Sequence, residues 1–336
     1  MSDFITLNHG SGGRASHDLI KNIFIKSFGD TNSVLSDSAI LNILNEKIAF
    51  TTDSFVIDPI FFPGGDIGKL AVCGTVNDLA VSGAVPKYIT ASFILEEGLP
   101  VNDLKKIVNS MAVQAKVANI KIVAGDTKVV NKGKCDKIFI NTTGIGVFEK
   151  DYSFISTGEK IEINDKIIIN GFLGDHSVAV LGARNELGFK VNIQSDCDCL
   201  NELIQSVIKA GMRIKFMRDV TRGGLATVLN ELTEIIRFGV ELDEKNVPVR
   251  ESVNGLCEIL GFDPLYLANE GKVLMVVHSE DADNVIKILK ENPLGVESKM
   301  IGEIVSDHPK MVVGKTKIGG KRIINMLQGE QLPRIC

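Results

Sequence analysis

The sequence has little that would take it to a membrane or to nucleic acid. No run of 18 apolar residues occurs in its 336 residues, so nothing in it is long enough to span a bilayer as a helix. Its start, Met1-Ser2-Asp3-Phe4, lacks the basic segment and apolar stretch of a secretory signal, which predicts a cytoplasmic protein with no membrane partner. Positive charge is short as well: 37 Lys and Arg against 42 Asp and Glu leave a net charge of −5. No polybasic surface is then expected, which argues against nucleic acid as a partner. The cysteines (Cys73, Cys135, Cys197, Cys199, Cys257, Cys336) are scattered, a spacing that reads as free thiols in a reducing compartment rather than a disulfide framework. Only Cys197-Asp198-Cys199 is a close pair; it lacks the further ligands of a structural zinc site and reads as a surface loop. The phosphate loop Gly-x-x-x-x-Gly-Lys-Ser/Thr and the protein-kinase signatures are missing, so any ATP site has another design.

What is present predicts an ordinary globular α/β chain. Apolar residues make up 44% and charged residues 24%, and the length allows two lobes with separate cores. Expected strands cover Ile48–Thr52, Tyr88–Leu95, Ile120–Ala124 and Ile138–Val147, the last broken by Gly144 and Gly146. Helices are expected over Gly68–Ser82 and Asn102–Asn119, the second with Leu104, Ile107, Val108, Met111, Ala112 and Ala115 on one face. Polar residues 151–164 separate the lobes, and strands and helices alternate again to Ile318. The expected parts are an N-terminal Gly-rich segment and helix (1–36), a first lobe (37–150), a second lobe (160–318) and a mobile tail (319–336).

Carboxylates recur where these elements end: Asp37, Asp53, Asp78 and Asp126 in the first lobe, Asp175, Asp219 and Glu270 in the second. Any one of them is an ordinary turn or cap residue. Asp78 is the most informative, because a carboxylate among Leu70, Val72, Val76 and Leu79 is costly to bury unless it is paired or holds a metal. Two Gly-rich turns, His9-Gly10-Ser11-Gly12-Gly13 and Thr221-Arg222-Gly223-Gly224, each precede a helix and present backbone N–H groups to an anion. Carboxylates for Mg²⁺ together with two anion cradles suit a nucleoside triphosphate. The chain ends in Leu332-Pro333-Arg334-Ile335-Cys336. A prenyl anchor needs the cysteine four residues from the end, so this one reads either as a frayed terminus or as a tethered thiol that carries a group into a pocket.

These motifs, with Thr52-Asp53-Ser54-Phe55-Val56-Ile57-Asp58-Pro59, Gly74-Thr75-Val76-Asn77-Asp78, Gly125-Asp126-Thr127-Lys128, Arg218-Asp219-Val220 and Asn269-Glu270-Gly271-Lys272, resemble those of the HypE hydrogenase maturation factors over essentially the whole chain. That family belongs to the superfamily of aminoimidazole ribonucleotide synthetases, selenophosphate synthetases and thiamine-phosphate kinases. One departure is that Ser36-Asp37-Ser38 offers a single acid where those relatives often carry a pair. The resemblance implies two PurM-like lobes, the first forming a homodimer through its sheet and the second α+β, with a flexible tail. It further implies that a carbamoyltransferase, HypF, loads Cys336, that ATP drives dehydration of the thiocarbamate to a thiocyanate, and that a HypC–HypD complex accepts the cyanide for nickel–iron hydrogenase. Asp37, Asp53, Asp78 and Asp126 would then hold Mg²⁺; Gly10, Ser11, Gly12, Gly13, Asp219, Thr221, Arg222, Gly223 and Gly224 would hold ATP; Cys336, Lys128 and Glu270 would be catalytic. Two alternatives stay open at this point. One is a small-molecule kinase or synthetase with an irrelevant tail, and the other a thiol metallochaperone using Cys197, Cys199 and Cys336.

Overall fold

The computed structural model describes residues 6–25, 38–43, 46–184, 192–329, 332 and 334–336. A short helix α1 (Arg14–Leu19) leads to the first lobe, whose elements in chain order are β1 (Ala39–Ile43), β2 (Glu46–Phe55), the hairpin β3 (Phe61–Phe62) and β4 (Gly65–Asp66), α2 (Ile67–Val81), β5 (Val85–Glu96), α3 (Val101–Val117), β6 (Lys121–Val130) and β7 (Ile138–Val147). Five strands form one sheet in the order β1-β2-β7-β5-β6. All neighbours are antiparallel except β5 and β6, which α3 joins as a crossover.

Helix α2 is apolar nearly all round and is buried almost throughout, the pattern of a helix enclosed by protein. Asp66 starts it by accepting the N–H groups of Gly68 and Lys69 at 2.7 and 3.1 Å. The glycines expected to break β7 do not. At Gly144 a Cβ would lie 2.6 Å from Thr75 Cγ2, so its absence lets α2 lie close against an uninterrupted strand. Helix α3 buries Ile107, Met111 and Ala115 as expected, while Val108 and Ala112 face outward. The buried stripe turns instead through Gln114, which reaches Asp198 and Cys199 of the second lobe.

The second lobe contains β8 (Lys166–Ile169), α4 (Asp175–Arg184), α5 (Asn201–Lys209), β9 (Ile214–Asp219), α6 (Gly224–Ile235), β10 (Gly239–Asp243), α7 (Glu251–Leu260), β11 (Val273–Val277), α8 (Ala282–Lys290), β12 (Lys299–Val305), β13 (Val312–Lys315) and β14 (Lys321–Ile323). Its seven strands run in the order β14-β13-β10-β12-β8-β11-β9. Strand β11, flanked by β8 and β9 and packed on both faces, reads as the continuous apolar run Val-Leu-Met-Val-Val and is wholly buried. Strand β14 corrects the expected tail boundary, since residues assigned to the tail pair with β13. Ile324 and Leu327, just beyond it, are buried.

The lobes share a core in which Ala80 and Val81 of α2 pack with Leu200, Leu203 and Met275. Asn77 adds a polar joint: its amide donates to the carbonyls of Asp198 and Glu270, and its oxygen accepts the N–H of Leu200 at 2.8 Å. Among the described residues no helix is long and apolar enough to cross a membrane.

Candidate active site

The two Gly-rich turns, more than half the chain apart in sequence, meet in the fold. Gly12, at φ +75°, sits so near the second turn that a Cβ there would lie 2.9 Å from Arg222 Cβ. Helix α1 is tied to α6 by an ion pair of His17 with Glu231 at 2.8 Å, and Arg218 approaches the same carboxylate at 2.6 Å. That carboxylate raises the pKa of His17 by hydrogen bonding and charge. Ser11, Ser177, Arg222, Gly223, Leu332 and Cys336 are among the residues that line a cavity of about 630 Å³ beside these turns.

The tail is docked here. The N–H groups of Val56 and Asp58 donate to the carbonyls of Cys336 and Arg334 at 3.1 and 3.2 Å, extending β2 with an antiparallel segment. Ile335 is buried in the first lobe's core. The surrounding protein pushes the Cys336 thiol up to about 12; Arg222 opposes the shift, while Glu270, Asp53 and Asp219 add to it. Glu270 is itself buried, which raises its carboxyl well above the ordinary range, and Asp219 and Asp196 raise it further. Its Oε1 atom has no hydrogen-bond partner among the described residues. A buried carboxyl with a raised pKa is a strong proton acceptor once ionised, and this one is near enough to the thiol for its charge to be felt there.

Of the expected metal ligands, Asp53 and Asp78 are brought together. Burial raises the pKa of Asp53, a hydrogen bond with Asp78 opposes that rise, and Asp78 also accepts from Thr51 Oγ1 at 2.7 Å. Two adjoining carboxylates among hydroxyls form an all-oxygen donor set, which fits a hard cation such as Mg²⁺. Asp37 lies outside the described residues, and among those described no group of three or more His, Cys, Asp or Glu could hold a metal. Asp126 does not join the pair. It lies within β6 rather than at a strand end, exposed, in an ion pair with Lys128 at 2.7 Å. Lys128 is likewise not beside Glu270 within this chain: its partner is Asp126, and every residue of β6 before Val130 is exposed.

The Cys197-Asp198-Cys199 segment is the clearest correction. Instead of a surface loop it is an interlobe pin with both cysteines buried, and Cys199 Sγ lies 3.6 Å from Cys73 Sγ of α2. Asp196, next to it, accepts the N–H groups of Glu270 and Gly271 at 3.1 and 3.3 Å and pairs with buried Lys272 at 2.8 Å. Glu270 is thus held by a carboxylate that the sequence reading passed over. Ser195 and His176 belong to the same scaffold, their side chains 2.7 Å apart. Asp175, counted among the strand-end acids, pairs with Arg250 at 2.9 Å. The one usable signal was a His beside Asp175 at the start of an apolar helix.

Comparison with known proteins accounts for both lobes. Residues 35–148 match the N-terminal domain, and residues 162–314 the C-terminal domain, of AIR synthase related proteins. The chain is 46% identical to carbamoyl dehydratase HypE of Rhodobacter capsulatus over 335 residues, 99% of this chain and 98% of that protein. A solved structure of HypE in complex with ATP superposes with a TM-score of 0.82 at 44% identity, covering 99% of this chain and all of that one. The HypE of a solved HypE–HypF complex gives a TM-score of 0.85 at 46% identity, covering 92% and 99%. On this likeness, which runs through both lobes to the docked tail, the chain belongs to the HypE family of carbamoyl dehydratases.

Proposed function

We propose that this protein uses ATP to dehydrate a carbamoyl group carried on Cys336, converting the thiocarbamate to a thiocyanate. The observation that carries the reading is the docked, half-buried Cys336 thiol, which lines the same cavity as Arg222 and is close enough to the buried, hydrogen-bond-deficient carboxyl of Glu270 for that charge to raise its pKa. Oxide is too poor a leaving group to depart from a carboxamide, so the amide oxygen must first take the γ-phosphoryl group. Loss of inorganic phosphate and of the nitrogen protons then forms the C≡N bond. The balance is thiocarbamate and ATP to thiocyanate, ADP and phosphate. Glu270 accepts a nitrogen proton; Arg222, with the turns at Gly10–Gly13 and Thr221–Gly224, offsets the charge on phosphate. Asp53 and Asp78, with Asp37, would hold Mg²⁺, which neutralises the phosphates when bound.

The protein works in the cytoplasm as a homodimer. Support for the dimer comes from the first lobe's sheet, where Phe50, Tyr88 and Ile94 lie exposed on the face turned away from the helices, with Val123 exposed on the edge strand, an apolar surface of the kind a second copy covers. Asp126 and Lys128 lie on the edge strand of this sheet, so their role in the site is exercised across that pairing. HypF, found with a relative in a solved complex, loads the carbamoyl group, and a HypC–HypD complex receives the cyanide for nickel–iron hydrogenase. The test is intact mass. Protein loaded by the carbamoyltransferase and then given ATP should lose a mass equal to water, and the Glu270→Gln variant should bind ATP yet keep its carbamoyl mass. ATP consumption on a small substrate by a chain lacking Cys336 would favour a kinase or synthetase instead.

A further inference from the structure

Helix α4 presents His176, Val180 and Arg184 at intervals of four residues, and hence on one face. That face meets the tail. His176 Nε2 donates to the carbonyl of Ile335 at 2.7 Å, and Arg184 Nη2 donates to the carbonyl of Arg334 at 2.9 Å. Val180 lies between them in the apolar cluster that also takes Ile335. Arg184 Nε holds the carbonyl of Asp58 at 2.8 Å, so one guanidinium bridges the tail and the strand extension on which it is laid. We propose that His176 and Arg184 are a clasp for the tail: two positioning residues that grip its main chain and thereby set where the Cys336 thiol stands relative to Glu270. The inference rests on the reading of Cys336 as the group carrier.

The geometry defines how the clasp works. A carbonyl only accepts, so Nε2 of His176 carries the proton and Nδ1 accepts from the Ser195 hydroxyl. Ser195 Oγ in turn accepts the N–H of Cys197 at 3.0 Å, which fixes the ring to the interlobe pin. The edge of Phe62 closes the other side at 5.4 Å, and the imidazole has no exposed surface. Burial holds its pKa below the ordinary value, in keeping with a neutral ring that has one donor and one acceptor. When the tail swings out to be loaded, a buried N–H and part of a guanidinium lose their acceptors, and that loss favours the inward position. Because the grip is on carbonyls, it tolerates a changing group on the thiol.

Three full-length variants test this: Arg184→Met, His176→Ala and His176→Gln. The first readout is the alkylation rate of Cys336 by iodoacetamide, followed by peptide mass, with buried Cys257 as the internal standard. The second is single-turnover conversion of the carbamoylated chain by ATP. Losing one hydrogen bond of ordinary net strength should raise Cys336 alkylation about fivefold. Conversion at saturating ATP should slow as well, because a looser grip leaves the thiol less well placed for reaction, with Cys257 unchanged. Gln can still donate an N–H, so His176→Gln should recover most of what His176→Ala loses, which a merely structural role would not give. Should His176→Ala fail to fold, Arg184→Met, changed at the partly exposed end of α4, decides alone. Wild-type rates at Cys336 in a folded Arg184→Met chain would overturn the clasp. A wild-type protein that loses no water with ATP would instead refute the dehydratase reading, while alkylation still judged the clasp.

Discussion

Asp196→Asn should be among the most damaging single changes outside the reacting groups. The Asp196 and Lys272 side chains are 5% and 9% exposed and 2.8 Å apart, and the same carboxylate takes the N–H groups of Glu270 and Gly271. Asn removes the charge, leaves the Lys272 ammonium buried without its counter-ion, and turns an N–H₂ toward a second donor. Breaking one side of a buried pair costs about 3–5 kcal/mol. At about 2–4 °C per kcal/mol for a domain of this size, the melting temperature should fall by roughly 6–20 °C. Because the turn bearing Glu270 loses its anchor, thiocarbamate conversion should fall more than ATP binding. The pH dependence supplies an independent check. Burial opposes the Asp196 charge, but Lys272 and His176 outweigh it and hold the pKa below its ordinary 3.8. The wild-type advantage is therefore full above pH 3.8 and drains away as pH falls through the depressed value, so the two stability curves should converge in acid. The assay is urea denaturation from pH 3 to pH 8, with Asp196→Leu/Lys272→Met as the double variant. Replacing the whole pair by apolar groups should cost less than breaking it. A loss below about 1 kcal/mol for Asp196→Asn, or a double variant that merely sums the two single losses, would refute the reasoning.

Three further outcomes are expected. Asp78→Asn should abolish ATP turnover with the fold intact by circular dichroism, since the paired oxygen donors are lost; undiminished turnover would remove Asp78 from the metal site. Val123→Lys, on the exposed strand β6, should convert the proposed dimer to monomers in light scattering, and a dimer of unchanged strength would move the interface elsewhere. His17→Gln should destabilise the protein most below pH 6.5. The pKa of His17 is raised by Glu231, so its contribution is present in acid and is lost as pH rises through the raised value; a penalty independent of pH would count against the ion pair.

How much was legible in the sequence varies with the range of the interaction. Helices α2 and α3 were readable because apolar spacing is a local signal, yet Val108 and Ala112 were placed on the wrong side. The α3 stripe follows Gln114, whose amide is buried only because Asp198 and Cys199 come to meet it. Gly144 and Gly146 looked like breaks because glycine weakens an isolated strand, whereas here they make room for α2. Asp126 looked like Asp53 on paper, both being acids after a β-rich run. Strand position separates them: β2 lies inside the sheet facing α2, and β6 is its edge.

The sequence by itself determined the two-lobed α/β organisation, the two Gly-rich turns, and the presence of a carboxylate set and a final thiol, because these follow from residue type and short-range spacing. Only the tertiary structure decided which of them share a site. It brought Gly12 against Arg222, put Glu270 within electrostatic reach of Cys336 and left Asp126 with Lys128 on an open edge. It also turned Ser195 to Cys199 from a loop into the pin that holds both Glu270 and the tail clasp. Those residues carry no local periodicity. Their roles come from hydrogen bonds and ion pairs made across 19 to 159 positions of sequence, which exist only once both lobes have packed.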